Sequence, residues 1–408
     1  MDYLVIARKY RPQTFSEVSG QAVVARTLTN AIKANRLHHA WLFTGPRGVG
    51  KTSMARILAK ALCCVGADGS GTAPTATPCG VCEQCRMITD GTHPDVSEID
   101  AARFGTVDTV RSLADDAGFA PSLARLRILI LDEVHMLSTS AWNALLKLLE
   151  EPPPHLRFIF ATTEVEKVLP TVLSRVQRFD FRSIDNEDIV GRLRAIVAAE
   201  KLAIPDALLY RIARAAGGGM RDAQTLLDQL IAVSDGAITE EDLNLLLGAA
   251  RGEDLLALSG DLAAGKTAPA LETIDRIVSD GVAPATLINQ LVDHFRALLL
   301  VQACGTDSPA VRRLGVPSAV LAAQAKALSP EKALRICQLL LGSQQALRQG
   351  VEARLQLELA CVRIAGLGQV ADLDTLLRRL ERLEAAGPGP TGTGAAAAAG
   401  GSDRPRPR

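Results

Sequence analysis

Short apolar runs alternate with helical stretches over the first 180 residues of the chain. The runs predict strands at residues 40–44, 96–100, 126–132, 157–163 and 176–181. Several of them are apolar at consecutive positions, which is typical of strands buried on both faces. Because strands that alternate with helices favour a parallel sheet with crossover helices, an α/β domain is predicted here.

Beyond the predicted sheet, the strand pattern stops and the fold class changes from α/β to all-α. Residues 181–247 have the pattern of short amphipathic helices, and residues 248–368 contain longer helical stretches, such as 330–348, without a fixed-period repeat. Residues 369–408 are rich in Gly, Pro and Ala, which predicts a helix end followed by a disordered tail.

The charge balance of the chain is neutral, with 45 Lys and Arg residues against 45 Asp and Glu residues. A neutral chain carries no global signal for nucleic-acid binding, so any DNA contact is expected to depend on assembly with other subunits. No apolar run reaches the roughly 18–20 residues of a membrane helix, and the N-terminus lacks a signal-peptide pattern. We therefore expect a cytoplasmic protein whose 8 cysteines do not form structural disulfides.

A phosphate-binding loop is the strongest chemical signal, because the whole pattern occurs between an apolar strand and a helix. Lys51 is expected to reach the β- and γ-phosphates, and Thr52 is expected to bind Mg²⁺. The alternative, a glycine-rich turn with a chance lysine, is disfavoured by this context. The candidate nucleotide-binding residues of the loop are Gly45, Pro46, Arg47, Gly48, Val49, Gly50, Lys51, Thr52 and Ser53.

Two carboxylates follow the apolar run that ends at residue 131. Asp132 is predicted to join the Mg²⁺ shell, and Glu133 is predicted to act as general base on the attacking water. An acidic strand end that is merely solvated is the alternative for a lone pair, but it is disfavoured beside a phosphate loop. Together these signals predict Mg²⁺-dependent hydrolysis of a nucleoside triphosphate.

Cysteines at two-residue spacing indicate a zinc site. Cys79, Cys82 and Cys85 form two overlapping C-x₂-C pairs, and Cys63 and Cys64 lie upstream. Four thiolates suit tetrahedral Zn²⁺ in a closed structural site. Cys64 is favoured over Cys63 as fourth ligand because it lies closer to the loop, although the choice stays open. Buried unligated cysteines or a redox pair are the alternatives.

Further motifs surround these sites. They are Arg11-Pro12-Gln13-Thr14-Phe15, Gly20-Gln21, His38-His39-Ala40, Leu131-Asp132-Glu133-Val134-His135-Met136-Leu137-Ser138, Asn143-Ala144-Leu145-Leu146-Lys147, Glu150-Glu151-Pro152-Pro153, Ala161-Thr162-Thr163 and Ser174-Arg175. With the phosphate loop and the cysteine insert, the chain resembles the gamma/tau family of bacterial DNA polymerase III, which are clamp-loader ATPases of the AAA+ class.

The resemblance implies a domain organisation. An AAA+ P-loop domain with a parallel sheet is expected at residues 1–180, with a zinc module at about residues 63–86. A small helical lid domain is expected at 181–247, and a helical collar domain for oligomerisation at 248–368.

The resemblance also implies residue roles. Thr162 matches the polar sensor near the γ-phosphate, Arg175 the arginine finger that reaches a neighbouring subunit's ATP, and Arg221 the second sensor. Val176 stands where this family usually has a cysteine, but the preceding arginine is retained. The segment expected to pack around the adenine contains Tyr10, Arg11, Pro12 and Val18.

The function implied is that of an ATP-hydrolysing clamp-loader subunit, with ATP, Mg²⁺ and Zn²⁺ as cofactors. Its implied partners are the delta and delta-prime subunits and further gamma/tau copies in a five-membered ring, the sliding clamp, and primer-template DNA, with no membrane. A branch-migration motor would need a DNA-translocating element, which the sequence does not display. A non-catalytic scaffold would lack a working phosphate loop, which here is complete.

Overall fold

The computed structural model describes residues 4–104, 109–110, 112, 115–116, 118–234, 238–306, 308, 311, 318–368 and 382. The chain divides into two compact units. The first comprises Met1–Arg251 and Thr306–Ser318, and the second comprises Gly252–Gly305 and Ala319–Arg408. The domain limits at residues 180, 247 and 368 remain predictions. The predicted tail, 369–408, lies outside the described residues except for residue 382.

The first unit is built on a sheet of parallel strands. They are β1 (Ala40–Thr44), β2 (Val96–Asp100), β3 (Arg127–Asp132), β4 (Leu156–Thr162) and β5 (Gln177–Asp180). Their order across the sheet is β2-β3-β4-β1-β5, and every neighbouring pair is parallel. Each predicted strand is present, and the α/β class predicted for this part of the chain is confirmed.

Helices cover both faces of this sheet. They are α1 (Ile6–Lys9), α2 (Ala22–Lys33), α3 (Lys51–Cys63), α4 (Glu83–Asp90), α5 (Ala101–Phe104), α6 (Thr139–Glu150) and α7 (Pro170–Leu173), with 3₁₀ turns at Phe15–Glu17, Val134–Met136 and Val165–Lys167. Successive side chains of β1 enter opposite clusters, because strand residues alternate between faces. Trp41 and Phe43 pack with α2 and α3, whereas Ala40 and Leu42 pack with α6. The consecutive apolar positions of the sequence are thus buried on two sides.

The carboxyl ends of all five strands lie at one edge of the sheet. Thr44 of β1 is in register with Thr162 of β4, and Asp100 of β2 is in register with Asp132 of β3. Ligand sites of open parallel sheets form in the crevice beyond this edge. The topology therefore brings the phosphate loop, which follows β1, close to the acidic end of β3.

A separate apolar cluster joins the helices that follow the sheet. These helices are α8 (Asn186–Ala199), α9 (Asp206–Ala215), α10 (Met220–Val233) and α11 (Glu240–Leu247). Leu193, Leu209 and Leu227 lie in this cluster, and Ile6 of α1 packs with them. The backbone N–H of Ile6 also donates to Asp228 Oδ1 at 3.3 Å. The N-terminal segment is therefore held by the small helical region.

The second unit is helical throughout its described residues. Its helices are α12 (Gly252–Ala264), α13 (Thr267–Ser279), α14 (Pro284–Cys304), α15 (Ser318–Ala327), α16 (Pro330–Arg348) and α17 (Ala353–Ala365), followed by a 3₁₀ turn at Gly366–Gly368. The predicted change to an all-α fold is confirmed. In the part of the chain that the structure describes, no helix is long and apolar enough to cross a membrane.

Candidate nucleotide site and cysteine cluster

Two glycines in the loop at residues 45–50 occupy positions that exclude a side chain. Gly45 has φ +144°, and a Cβ there would lie 2.3 Å from the carbonyl oxygen of Phe181. Gly48 has φ +77°, and its Cβ would lie 3.1 Å from Gly219 Cα. The loop can therefore turn tightly before the first turn of α3. Free backbone N–H groups at such a helix start favour an anion such as phosphate.

Lys51 is the first residue of α3, and its side chain is directed back over the loop. Its Nζ donates to the carbonyl oxygens of Gly45 and Pro46, both at 2.8 Å, and the residue is 6% exposed. Burial lowers the pKa of Lys51, and the carboxylates of Glu133 and Asp132 counter part of this shift. Phosphate oxygens could replace the two carbonyls as acceptors for this ammonium group.

Thr52 and Asp132 are brought together across the loop. Thr52 Oγ1 donates to Asp132 Oδ2 at 2.5 Å, and the N–H of Glu133 donates to Asp132 Oδ1 at 3.0 Å. A hydroxyl and a carboxylate are hard oxygen ligands of the kind that Mg²⁺ uses in nucleotide sites. The donor chemistry of these two residues therefore fits a magnesium ion, which they would hold beside the phosphate loop.

Polar groups at the end of β4 surround the carboxylate of Glu133. Glu133 has φ +50°, and its Oε2 accepts a hydrogen bond from Thr163 Oγ1 at 3.2 Å. Thr162 is fully buried, and its Oγ1 lies 3.0 Å from Nδ1 of His135. Nδ1 of His135 also lies 3.4 Å from Glu133 Oε2, so the side chains predicted as general base and sensor lie in one polar cluster.

A cavity of about 930 Å³ lies over the phosphate loop. It is lined by residues of the N-terminal segment, the loop, the end of β3, α4 and the start of α10. The predicted site residues along its lining are Arg11, Pro12, Val18, Arg47, Gly48, Val49, Gly50, Lys51, Thr52, Ser53, Asp132, Glu133 and Arg221. Its volume lies at the upper end of the range for small-molecule sites, which is about 300–1,000 Å³.

The cysteine cluster lies at the other end of α3. The sulfur atoms of Cys64, Cys79, Cys82 and Cys85 all lie within 4.8 Å of one another. Tetrahedral zinc holds thiolates about 3.8 Å apart, because each Zn–S bond is about 2.3 Å. Backbone N–H groups also donate to sulfur, including those of Cys79 to Cys64 and of Cys82 to Cys79. The donor set and its spacing fit zinc.

Cys63 and Cys64 differ in direction although they are adjacent. Cys63 is the last residue of α3, lies in the apolar cluster of the sheet, and has a pKa that burial raises to about 12. Cys64 is the C-cap, where the backbone leaves the helix with ψ 130°. Consequently the structure brings Cys64 to the other three thiols and directs Cys63 into the core.

Three family models match consecutive parts of the chain. Residues 20–185 match "DNA polymerase III, delta subunit", and residues 188–236 match "DNA polymerase III clamp loader subunit, ATPase lid domain". Residues 238–380 match "DNA polymerase III subunits gamma and tau domain III".

Curated relatives cover most of the chain. DNA polymerase III subunit tau of Bacillus subtilis is 40% identical over 390 residues, which are 94% of this chain and 68% of that subunit. The chain belongs to the DNA polymerase III gamma/tau family. Subunit tau of Escherichia coli K12 is 41% identical over 315 residues, which are 76% of this chain and 48% of the relative. This gamma/tau chain therefore spans about half the length of the E. coli subunit.

Among solved structures, a Thermotoga maritima RuvB variant is 18% identical to this gamma/tau chain, with a TM-score of 0.43. The match covers 62% of this chain and 79% of that one.

Tyr10 is placed differently from the other members of the predicted adenine segment. Its hydroxyl donates to Glu200 Oε1 at 2.6 Å, and this hydrogen bond raises the pKa of Tyr10. The ring packs beside the apolar cluster of α8–α11 rather than along the cavity lining. In this gamma/tau chain, Tyr10 links the N-terminal segment to α8, and its contact with adenine remains a prediction.

Arg175 also lies away from the cavity of its own chain. It pairs with Glu150 Oε1 at 2.8 Å and donates to the carbonyl oxygen of Thr171 at 2.7 Å. About a third of its side chain, 35%, is exposed. This position leaves the predicted action on a neighbouring subunit open to test.

The start of α10 rests on the phosphate loop. The N–H of Arg221 donates to the carbonyl oxygen of Gly48 at 3.2 Å. A Cβ on Gly219 would lie 3.2 Å from the carbonyl oxygen of Arg47 and 2.5 Å from Asp222 Oδ2. The glycine before this helix therefore permits the close approach that places Arg221 along the cavity.

Some cavity residues carry no signal in the sequence. Thr89 and Asp90 at the end of α4 line the cavity, as do Arg8 and Arg192. The cysteine spacing indicates a metal module, but it does not indicate that the helix carrying Cys85 also forms a wall of the nucleotide cavity.

Asp95 and Arg125 fasten the cysteine module to the sheet. Both carboxylate oxygens of Asp95 accept hydrogen bonds from the backbone N–H groups of residues 122–124, at 2.7–2.8 Å. Arg125 follows directly and donates to the carbonyl oxygens of Cys64 and Gly71 at 2.8 and 2.9 Å. The buried carboxylate thus fixes the segment that supports the cysteine loop.

Asp95→Asn is expected to lower the free energy of unfolding by about 2–3 kcal/mol at neutral pH, because a charged acceptor of several N–H groups is lost. Burial raises the pKa of Asp95, but these N–H groups lower it more, so the folded pKa lies below the usual value. The stabilisation is therefore full above the unfolded pKa of about 3.9 and is lost as the pH falls through the folded value. Urea unfolding at several pH values checks this.

The matched control for this measurement is Asp116→Asn, whose side chain is exposed. It is expected to change the free energy of unfolding by less than about 0.5 kcal/mol. An Asp95→Asn loss that stays equally large at pH values well below 3.9 contradicts the assignment of the effect to the charged carboxylate.

Proposed function

We propose that this chain is an ATP-hydrolysing subunit of the bacterial DNA polymerase III clamp loader, which loads the sliding clamp onto primed DNA. The observation that carries the proposal is the Thr52–Asp132 pair at the phosphate loop, with Glu133 beside it in the same cavity. Membership of the gamma/tau family supports the proposal that ATP hydrolysis serves to load the sliding clamp.

Different residues of the loop and its surroundings bind the phosphates, the metal ion, the attacking water and the adenine. Backbone N–H groups at residues 45–50 and the Lys51 ammonium bind the phosphates. Thr52 and Asp132 would hold Mg²⁺, which when bound neutralises charge on the phosphates. Glu133 orients the attacking water and accepts its proton. Arg11, Pro12 and Val18, with Tyr10 behind them, form the adenine side, while Thr162 and Arg221 sense the nucleotide.

We also propose that a zinc ion has a structural role in this domain. Cys64, Cys79, Cys82 and Cys85 supply four ligands and leave no open position for a substrate, as in other closed zinc sites. The ion would fix the C-terminal end of α3 relative to α4. Since α3 begins at Lys51, both ends of this helix would be held by bound groups.

Assembly is proposed to complete the site. Delta, delta-prime and further gamma/tau copies would form a five-membered ring through the collar at residues 248–368, with the ATPase and lid domains at 1–180 and 181–247. An arginine that acts on the next subunit's nucleotide requires a heterologous, ring-forming interface. Clamp and primer-template DNA would be partners of the complex, which would act in the cytoplasm.

The experiment that tests the function is ATP hydrolysis by the chain with its candidate partner subunits, adding sliding clamp and primed DNA in turn. Strong stimulation that needs both additions is expected of a clamp loader. Equal turnover without the clamp would identify a DNA motor of another kind. No turnover would indicate a non-catalytic scaffold.

Arg175→Ala is expected to lower DNA-stimulated hydrolysis in the assembled complex on the order of 1,000-fold, because an arginine finger stabilises charge in phosphoryl transfer. Nucleotide affinity of the isolated chain should stay within about 3-fold, since Arg175 does not line its own cavity. Arg178→Ala is the matched control, because Arg178 is exposed nearby and pairs with Asp180, two residues away. Full stimulated hydrolysis by the Arg175→Ala complex would contradict the finger role.

A further inference from the structure

His135 lies at the centre of the polar group beside the proposed active site. It occupies the 3₁₀ turn Val134–Met136, which follows β3 directly, and its side chain is 8% exposed. Nδ1 lies 3.0 Å from Thr162 Oγ1 and 3.4 Å from Glu133 Oε2. Nε2 lies 3.3 Å from Glu164 Oε1. The ring therefore contacts the predicted sensor and the predicted base with the same nitrogen.

The hydrogen-bonding capacity of Thr162 is nearly used up by these neighbours. A threonine hydroxyl has one proton to donate and two lone pairs that accept. The N–H of Glu164 donates to Thr162 Oγ1 at 3.0 Å and occupies one lone pair. Carboxylate oxygens, which only accept, face both ring nitrogens of His135, so this arrangement needs a proton on each nitrogen. Nδ1–H then occupies the second lone pair of Thr162. The hydroxyl proton is then the only remaining capacity, and it must be donated to another acceptor.

Glu133 is held by the same group. Its Oε2 accepts from Thr163 Oγ1 at 3.2 Å and faces Nδ1 of His135 at 3.4 Å. Its backbone φ of +50° is uncommon for a residue other than glycine. The carboxylate of Glu133 therefore contacts side chains from the end of β4 and from the 3₁₀ turn, including the ring of His135.

We propose that His135 is a positioning residue for ATP hydrolysis that couples Thr162 to Glu133. Its Nδ1–H fills the second lone pair of Thr162, so that the hydroxyl proton is donated to a phosphate oxygen of the bound nucleotide. The same nitrogen lies 3.4 Å from Glu133 Oε2, and its positive partial charge attracts that carboxylate towards the ring. This inference rests on the proposed function, because it assigns a role only if the site hydrolyses ATP.

The surroundings of His135 distinguish this role from simple filling of the core. Its ring nitrogens face oxygen atoms from three side chains, and two of these are carboxylates. On its other side, Glu164 is paired with Lys167 at 2.8 Å, so the carboxylate that faces Nε2 is itself fixed. Loss of the Nδ1 contacts should therefore affect the turnover number more than the affinity for nucleotide.

Two amide substitutions of His135 test the roles of its two ring nitrogens separately. Asn places an amide N–H near the position of Nδ1, whereas the longer Gln places it near Nε2. His135→Gln is expected to lower kcat by about 10- to 100-fold, which is the usual cost of losing an outer hydrogen-bond partner. His135→Asn should stay within about 5-fold of the unchanged chain, because the donor to Thr162 is retained.

The measurements are kcat and KM for ATP in the assembled complex, affinity for a fluorescent nucleotide, and the unfolding temperature of each variant. Nucleotide affinity should change by less than about 3-fold in both variants. Met136→Leu is the matched control, because Met136 lies in the same turn and is 55% exposed. Equal kcat values for His135→Asn and His135→Gln would overturn the proposal.

A double variant tests the coupling directly. In a Thr162→Ala background, His135→Gln should cost less than about 2-fold in kcat, since residues that act through one another are not additive. If the kcat of the double variant fell by the product of the two single-variant losses, the proposed coupling would be overturned. If the unchanged complex hydrolyses ATP and Lys51→Ala does not, failure of these tests concerns His135 alone. If the unchanged complex shows no hydrolysis, the proposed function fails first and this inference falls with it.

Discussion

Lys51→Ala is expected to lower ATP hydrolysis by at least about 100-fold, because the variant lacks a charged group that stabilises negative charge developing on the phosphates. The ammonium group is 6% exposed, and Nζ already lies over the loop at 2.8 Å from two carbonyl oxygens. It therefore needs little rearrangement to meet a phosphate. Phosphate release by the assembled complex with clamp and primed DNA measures the loss, and nucleotide affinity measured alongside it separates binding from turnover.

Lys33→Ala is the matched control, because this lysine lies exposed in the last turn of α2. It should leave both hydrolysis and nucleotide affinity within about 2-fold. Hydrolysis that survives in Lys51→Ala at a similar rate would place the chemistry outside the phosphate loop. The finding would remove the central support of the proposed function.

Cys85→Ser is expected to remove the zinc and lower the unfolding temperature by roughly 5–15 °C, because metal binding to such sites contributes directly to folding free energy. Cys85 is fully buried on α4, the helix that also carries Thr89 and Asp90 along the cavity. Nucleotide affinity should therefore fall several-fold as well. Zinc content of the purified protein, thermal unfolding and nucleotide titration measure the three effects.

Cys63→Ala provides the control for that experiment. Cys63 is buried in the apolar cluster of the sheet, so this variant should retain one zinc ion per chain, whereas Cys64→Ser should lose it. The opposite pattern, with zinc lost from Cys63→Ala and kept in Cys64→Ser, would show that the ligand set is wrong.

The sequence by itself determined those features whose physics is local. The phosphate loop needs glycines, a lysine and a threonine at fixed spacing between a strand and a helix, and all of these are consecutive in the chain. β1, β3 and β4 were predicted for the same reason, since burial on both faces requires apolar residues at successive positions. Three members of the cysteine cluster followed from C-x₂-C spacing.

Only the tertiary structure decided how these local elements meet. The choice between Cys63 and Cys64 depends on where α3 ends, because adjacent residues on a helix point in directions about 100° apart. The contact of Tyr10 with Glu200, and the wall that α4 forms along the cavity, join segments distant in sequence. Hydrophobic periodicity carries no signal for such pairs.

The group around His135 gives the same contrast within one site. The sequence places Asp132 and Glu133 at the end of β3 and Thr162 at the end of β4. It does not reveal that β3 and β4 are neighbours, which brings His135 to 3.0 Å from Thr162. Strand order is set by crossover connections and by packing on both faces of the sheet, and these are properties of the whole fold.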